Sequence, residues 1–307
     1  MLLVFGLLLL CLSLVIIFAY DFILLLTLSM MSLAVMILYL LLGAPDVAMT
    51  EAALGVGLST ILIVNYMLVY KQGIKNSNNI LWYLAFCWCI ACVVGYCIDI
   101  DQLSLKGSAL HDYYIEYTYK DIHINSFVAA ILACYRGFDT FIETCVIFIG
   151  GIGVFYIAGY KQQQDMTDEF IVQQNNILVS NVVRILLMYM LIFAIYIQLN
   201  GTVSPGGGFQ FGGILASIVI LANKFFLQNY KICPFLLIRI GAIGLLIYFL
   251  VGFMSLIFEL NFLNYAYLHD KAYVARHIGI ELVELGVALT VSSMLLLIYL
   301  VSKRFNV

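Results

Sequence analysis

The chain is 307 residues long, 64% of them hydrophobic and 10% charged, with a formal net charge of −3. A water-soluble domain needs a polar surface and carries roughly a quarter of its residues as charged side chains, so folding in water is excluded. No basic tract occurs, which excludes nucleic acid as a natural partner.

At about 20 mostly apolar residues per crossing, the sequence predicts an all-α integral membrane protein of nine spans in a five-plus-four arrangement. They lie near 2–20, 22–42, 47–70, 80–98, 127–159, 178–199, 209–229, 234–258 and 276–301. The first has no basic region ahead of it and reads as a retained span rather than a cleaved signal. The polar connections at 99–126 and 160–177 are too short to bury a core of their own. One side of the predicted bundle collects Lys71, Lys75, Lys161, Lys224, Lys231, Lys303 and Arg304; the other has Lys106, Lys120, Lys271 and Arg276. The excess of Lys and Arg on the first side places it in the cytoplasm, with the N-terminus outside and the C-terminus inside.

Carboxylates within these spans are the chemical signal, because an ionised side chain at membrane depth survives mainly where it is paired or lines a wet path. In the third span, Pro45 suits a first helical turn and Asp46 lies by the positive end of the helix dipole. Glu51 is a turn deeper, beside a small-residue stripe of Ala48, Ala52, Gly55 and Ser59. A capped helix with a close-packed seam accounts for Asp46 and leaves Glu51 unexplained.

Cys89 and Cys92 form a CxxC in the fourth span, but no second such pair or histidine pair accompanies it. Packing is therefore the reading, and no metal or cofactor is expected. The fifth segment is too long for one plain crossing, so it tilts, breaks near Arg136–Gly137, or begins at the interface. Within it Arg136, Asp139 and Glu143 recur at i, i+3 and i+7, on one helical face. Arg136 with Asp139 reads as a structural pair, while Glu143 stands evenly between an ion path and a packing contact. Between spans six and seven, Ser204-Pro205-Gly206-Gly207-Gly208-Phe209 lacks the lysine and strand of a phosphate loop. It reads instead as a re-entrant turn or a helix start where backbones touch. The last span carries His277, Glu281 and Glu284 at spacings of four and three. Two acids a turn apart repel unless a proton or cation sits between them, and the glutamates are favoured over His277 as functional groups.

Three strings carry a resemblance. Gly43 to Ser59, GAPDVAMTEAALGVGLS, resembles the D-type subunit of membrane-bound hydrogenases and the C-terminal part of the large A subunit of Mrp-type sodium/proton antiporters. Tyr135 to Glu143, YRGFDTFIE, resembles the neighbouring E-type module. Arg184 through PGGGFQFGG to GIELVELG at 279–286 is similar to the antiporter B subunit. The resemblance implies a fused chain: a D-type module with the first E-type helix over 1–98, an external loop and the rest of the E-type module over 99–160, a connector over 161–177, and a B-like four-helix module over 178–307. It implies ion-path or coupling roles for Asp46, Glu51, Asp139, Glu143, His277, Glu281 and Glu284, with Pro45, Arg136, Pro205, Gly206, Gly207 and Gly208 structural. Two positions depart from the family pattern: Thr202 stands where a histidine is frequent, and Cys134 where antiporter versions commonly carry Asp. No span has a central lysine like those of the large complex I-like pumping subunits, so these are expected partners, together with membrane lipid, sodium ions and protons.

The function so implied is that of a transport component rather than an enzyme: a membrane subunit of a multisubunit sodium/proton antiporter in the bacterial inner membrane. The alternatives are the membrane arm of a hydrogenase or complex I relative, and a structural linker between pumping subunits.

Overall fold

A computed structural model of the chain describes residues 29, 32, 33, 35–41, 43–62, 109–157, 177–226 and 232–304. The predicted spans at 2–20 and 80–98, with the CxxC, lie outside the described residues. Every regular element among the described residues is helical. The chain divides into two compact units that part after Tyr117.

In the first unit the GAP string ends one helix and starts the next. Gly43, at φ 73°, takes the left-handed conformation that closes helix 35–41. Its N–H donates to Leu40 O at 3.1 Å and the N–H of Ala44 donates to Tyr39 O at 2.9 Å, the paired bonds of a glycine-terminated helix end. Pro45, which has no N–H to leave unsatisfied, then opens α1, Pro45–Thr50. From Glu51 to Leu58 the chain widens into a π-helix.

The second unit begins within α2, Ala109–Ile122, inside the segment expected to be a plain polar loop. The sequence hides this helix because most of its side chains are exposed. Its period shows only in Thr118 and Ile122, buried four residues apart. His123, at φ 57°, ends it. Next come α3, Phe127–Ala130, a π turn over Ile131–Tyr135, and α4, Gly137–Ile157. The fifth predicted segment is therefore broken, and the break falls at Arg136. Then follow α5, Ile177–Leu199, α6, Gly208–Phe225, α7, Pro234–Ile257, a 3₁₀ turn at Tyr265–Leu268, and α8, Ala272–Arg304.

Five helices among the described residues, α4 to α8, are long and apolar enough to cross a membrane. The chain is thus a multi-pass membrane protein. Helix α8 is the axis of the second unit. It packs most extensively on α7, then on α6 and α4. Gly208 of α6 meets Glu284 and Gly212 meets Ala288, so α6 runs parallel to α8; α4, which meets Met294 through Gly151, pairs Phe148 with Gly241 and Gly137 with Tyr248 and so runs antiparallel to α7. Gly244 meets Gly286 and Thr290 while Gly241 meets Met294, so α7 runs antiparallel to α8. Small residues at these crossings matter because lipid tails are as apolar as leucine, leaving close van der Waals contact to hold the helices together. Thr290 adds one bond across the α7–α8 seam, its hydroxyl reaching Gly241 O at 3.2 Å as well as Gly286 O of its own helix at 2.9 Å.

Candidate functional site

Gly207 and Gly208 of the glycine string, with Gly201, are shaped around Glu284, while Gly206 lies against Ile197. Gly207 caps α6 at φ 134°, a conformation L side chains rarely adopt. Gly208 then opens α6 against the main chain of α8, where a Cβ would overlap the carbonyl oxygen of Glu284. The Glu284 carboxyl group lies in the hollow left by missing side chains. A Cβ at Gly201 would stand 2.8 Å from Oε2, and one at Gly207 would stand 3.4 Å from Oε1 and from Gln210 Oε1. Oε2 is buried. The carboxylate therefore sits beside the N-terminal end of α6, where unpaired backbone N–H groups and the helix dipole favour negative charge.

Glu281 faces elsewhere. It is exposed on the second unit, in a stripe with Ile278, Leu282 and Leu285. The spacing of four and three puts His277, Glu281 and Glu284 on one stripe, and the structure grades them by burial: Glu281 is exposed, whereas His277 and Glu284 are half-buried, with Glu284 Oε2 turned inward.

Arg136, Asp139 and Glu143 do share an outward face of α3–α4. Arg136 holds Asp139 through Nη2 at 2.5 Å and Nε at 2.7 Å. At side-chain exposures of 63% and 50%, the pair contributes little stability.

The break before this face creates a second feature that the sequence does not announce. In the π turn the Arg136 N–H donates to Ile131 O at 2.7 Å, one residue further back than in an α-helix. Side-chain hydroxyls reach the carbonyls around the shift. Thr140 donates to Leu132 O at 2.9 Å, Tyr265 to Ala133 O at 2.6 Å, and Tyr248 to Gly137 O at 2.6 Å. Both tyrosines are core residues, 2% and 0% exposed respectively. The Tyr265 ring lies against Gly279, in space a Cβ would fill. Burial, followed by the charges of Cys134, Tyr248 and Glu284, pushes the Tyr265 phenol well above its ordinary range. It therefore stays a donor at physiological pH. Cys134 packs against the same core, so an Asp at this position would be set among tyrosines and valines. Arg276, read from sequence only as a loop charge, has Nη1 buried with no hydrogen-bond partner among the described residues.

In the first unit Asp46 is buried at 8% and Ala48 at 2%. The Glu51 carboxyl folds back over Gly55, where a Cβ would overlap its Oε1 and stand 2.8 Å from Ser32 Oγ. Gly55 thus does for Glu51 what Gly201 does for Glu284. Two π segments adjoin acidic motifs, one beginning at Glu51 and one ending before Arg136. Such widened turns recur at functional sites, where they re-aim side chains. No group of three or more His, Cys, Asp or Glu residues suited to a metal ion occurs among the described residues.

Comparison with known proteins follows the same division. Residues 178–297 match a family model described as a domain related to the MnhB subunit of Na+/H+ antiporters, and residues 7–71 match that of the D subunit of MBH. The B subunit of the Na+/H+ antiporter of Bacillus subtilis strain 168 is 28% identical over 130 residues, which is 38% of this chain and 90% of that protein. In fold, the chain resembles one in the structure of the Mrp complex from Dietzia sp. DQ12-45-1b, with a TM-score of 0.73 at 20% identity over 95% of this chain. It spans 34% of that longer chain. A chain of the membrane-bound sulfane sulfur reductase, an archaeal respiratory complex, gives a TM-score of 0.54 at 20% identity, covering 68% of this chain and 95% of that one. The chain thus carries one stretch similar to the D subunit of MBH and, further on, one similar to the MnhB subunit of Na+/H+ antiporters.

Proposed function

We infer that this chain is a membrane subunit of a multisubunit Na+/H+ antiporter, contributing buried carboxylates to the ion path or to coupling between pumping subunits. One observation carries the reading: the MnhB-related domain spends its glycine loop on enclosing a single acid, Glu284, inside a membrane bundle. A structural packing contact needs no charge there, whereas an acid at that depth is costly and suits a site that a proton or cation visits. Glu51 over Gly55 is the equivalent acid of the D-type region.

In finer detail, the chain is a D–E–B fusion of nine spans, with residues 135–143 belonging to an E-type module. It lies in the bacterial inner membrane, N-terminus outside, and works with the large pumping subunits in moving sodium against protons. Glu281, an acid on an apolar outward stripe, meets a partner subunit, and Arg136 with Asp139 is structural.

The test uses the intact complex in everted membrane vesicles. Glu284→Gln keeps the shape and removes the charge. It should lower sodium-driven proton movement about tenfold, equivalent to ~1.4 kcal/mol on the limiting step, at unchanged assembly; Glu284→Asp should retain part of it. Full antiport in assembled Glu284→Gln and Glu51→Gln complexes would leave only a linker role.

A further inference from the structure

We propose that the groove between α5 and α6 is a binding site for one anionic phospholipid, with an acyl chain along the groove and the phosphate on Arg184. This goes beyond the antiport reading and does not depend on it. The groove is a cavity of about 290 Å³ lined by Leu187, Met188 and Leu191 of α5 and Ile218 of α6, with Arg184 and Phe226 at its end. Its walls are apolar. The Arg184 guanidinium lies over the Phe226 ring, 5.5 Å from its centroid, which holds the planar donor fork in place at little entropic cost.

The occupant follows from setting and charge. The groove runs between spanning helices of a membrane protein, so the apolar chain at hand to lie along it is that of a lipid. The charge is arranged for an anion. Among the described residues of the second unit, Arg184, Lys224 and Arg239 lie towards the end where α5 and α7 begin and α6 finishes. The carboxylates Asp121, Asp139, Glu143, Glu259, Asp270, Glu281 and Glu284 all lie in the opposite half. A phosphodiester at the Arg184 end meets a bidentate cationic donor with no described acid beside it. Basic pockets between spanning helices are sites of this kind. Lipid also reaches the groove freely, because α5 is the least buried of the five spans, with 6% of its window enclosed.

Native mass spectrometry of the full chain released from detergent micelles tests the proposal, with dioleoyl-phosphatidylglycerol and dioleoyl-phosphatidylcholine as probes. The chain should retain one phosphatidylglycerol in preference to phosphatidylcholine. Arg184→Gln should weaken phosphatidylglycerol retention about fivefold, the scale of one cation at a lipid surface, and leave phosphatidylcholine unchanged. Arg184→Lys should restore part of the loss, and Leu187→Trp, which fills the groove, should lower retention of both lipids. Circular dichroism and unfolding temperature confirm that each variant is folded. Equal retention of the two lipids by the unaltered chain overturns the proposal, as does a preference untouched by Arg184→Gln and Leu187→Trp. Displacement of the lipid by millimolar inorganic phosphate overturns it by reducing the site to an anion site. A photo-crosslinker at Met188 that captures another polypeptide of the assembled complex overturns it by giving the groove to protein.

Discussion

Helices α5 and α8 have the same hydropathy, yet 67% of the α8 window is enclosed against 6% for α5. Apolar character therefore says that both cross the membrane and nothing about which one forms the core. The difference lies in size and polarity. Helix α8 brings Gly279, Gly286, Ala288, Thr290, Ser292 and Ser293 to its neighbours, all buried. Helix α5 presents Leu186, Met188, Ile192 and Phe193, all exposed. In lipid, small and hydroxylated residues let backbones approach and bulky apolar ones face the solvent.

The strongest way to break this contrast is to thicken the α6–α8 contact. Gly208→Val would drive side-chain atoms into the Glu284 carbonyl, which cannot move without its helix. The expected cost is about 3 kcal/mol, at the upper end for overpacking, read as a lowered unfolding temperature in detergent. An unchanged midpoint would show that α8 is not the rigid axis. A smaller effect is expected at the hinge between α3 and α4. Tyr265→Phe keeps the ring against Gly279 and removes the hydroxyl donated to Ala133 O, for a loss of about 1 kcal/mol; Tyr248→Phe should match it. Because the Tyr265 phenol stays protonated, the loss from Tyr265→Phe should be the same at pH 6 and pH 9. Weaker still is the exposed pair: Asp139→Asn should shift stability by no more than about 0.5 kcal/mol, and raising salt should erase even that. At the bottom of the scale, Leu186→Ala on the open face of α5 should stay within about 0.5 kcal/mol. A loss of several kcal/mol there would mean that α5 is enclosed in the isolated chain after all.

How far the sequence could be read varies by region. Spanning helices α4 to α8 were legible because a run of 20 apolar residues has few other uses, and the break at Arg136–Gly137 was one of three expectations for an overlong segment. Helix α2 was missed, since its polar, tyrosine-rich surface has no continuous apolar stripe. At the candidate site the sequence singled out Glu284 and the glycine string separately, but nothing in their spacing says that one encloses the other. That takes a contact across some eighty residues of chain. Grouping Glu281 with Glu284 failed for a related reason: helical period gives neighbours on a surface, while burial depends on where α6 and α7 happen to lie. Tyr248 and Tyr265 were invisible because their value comes from carbonyls in and just after the π turn, more than a hundred residues away in the chain.

That turn also carries a consequence for length rather than composition. Each residue of regular α-helix rotates the chain by about 100°, but the wide turn at Ile131–Tyr135 takes up one extra residue within a single loop of the helix. Delete one of the five and a tighter α turn can stand in its place, with Phe127–Ala130 and the helix bearing Glu143 keeping their relative phase. A codon removed from the middle of α4 finds no such slack and turns one side against the other.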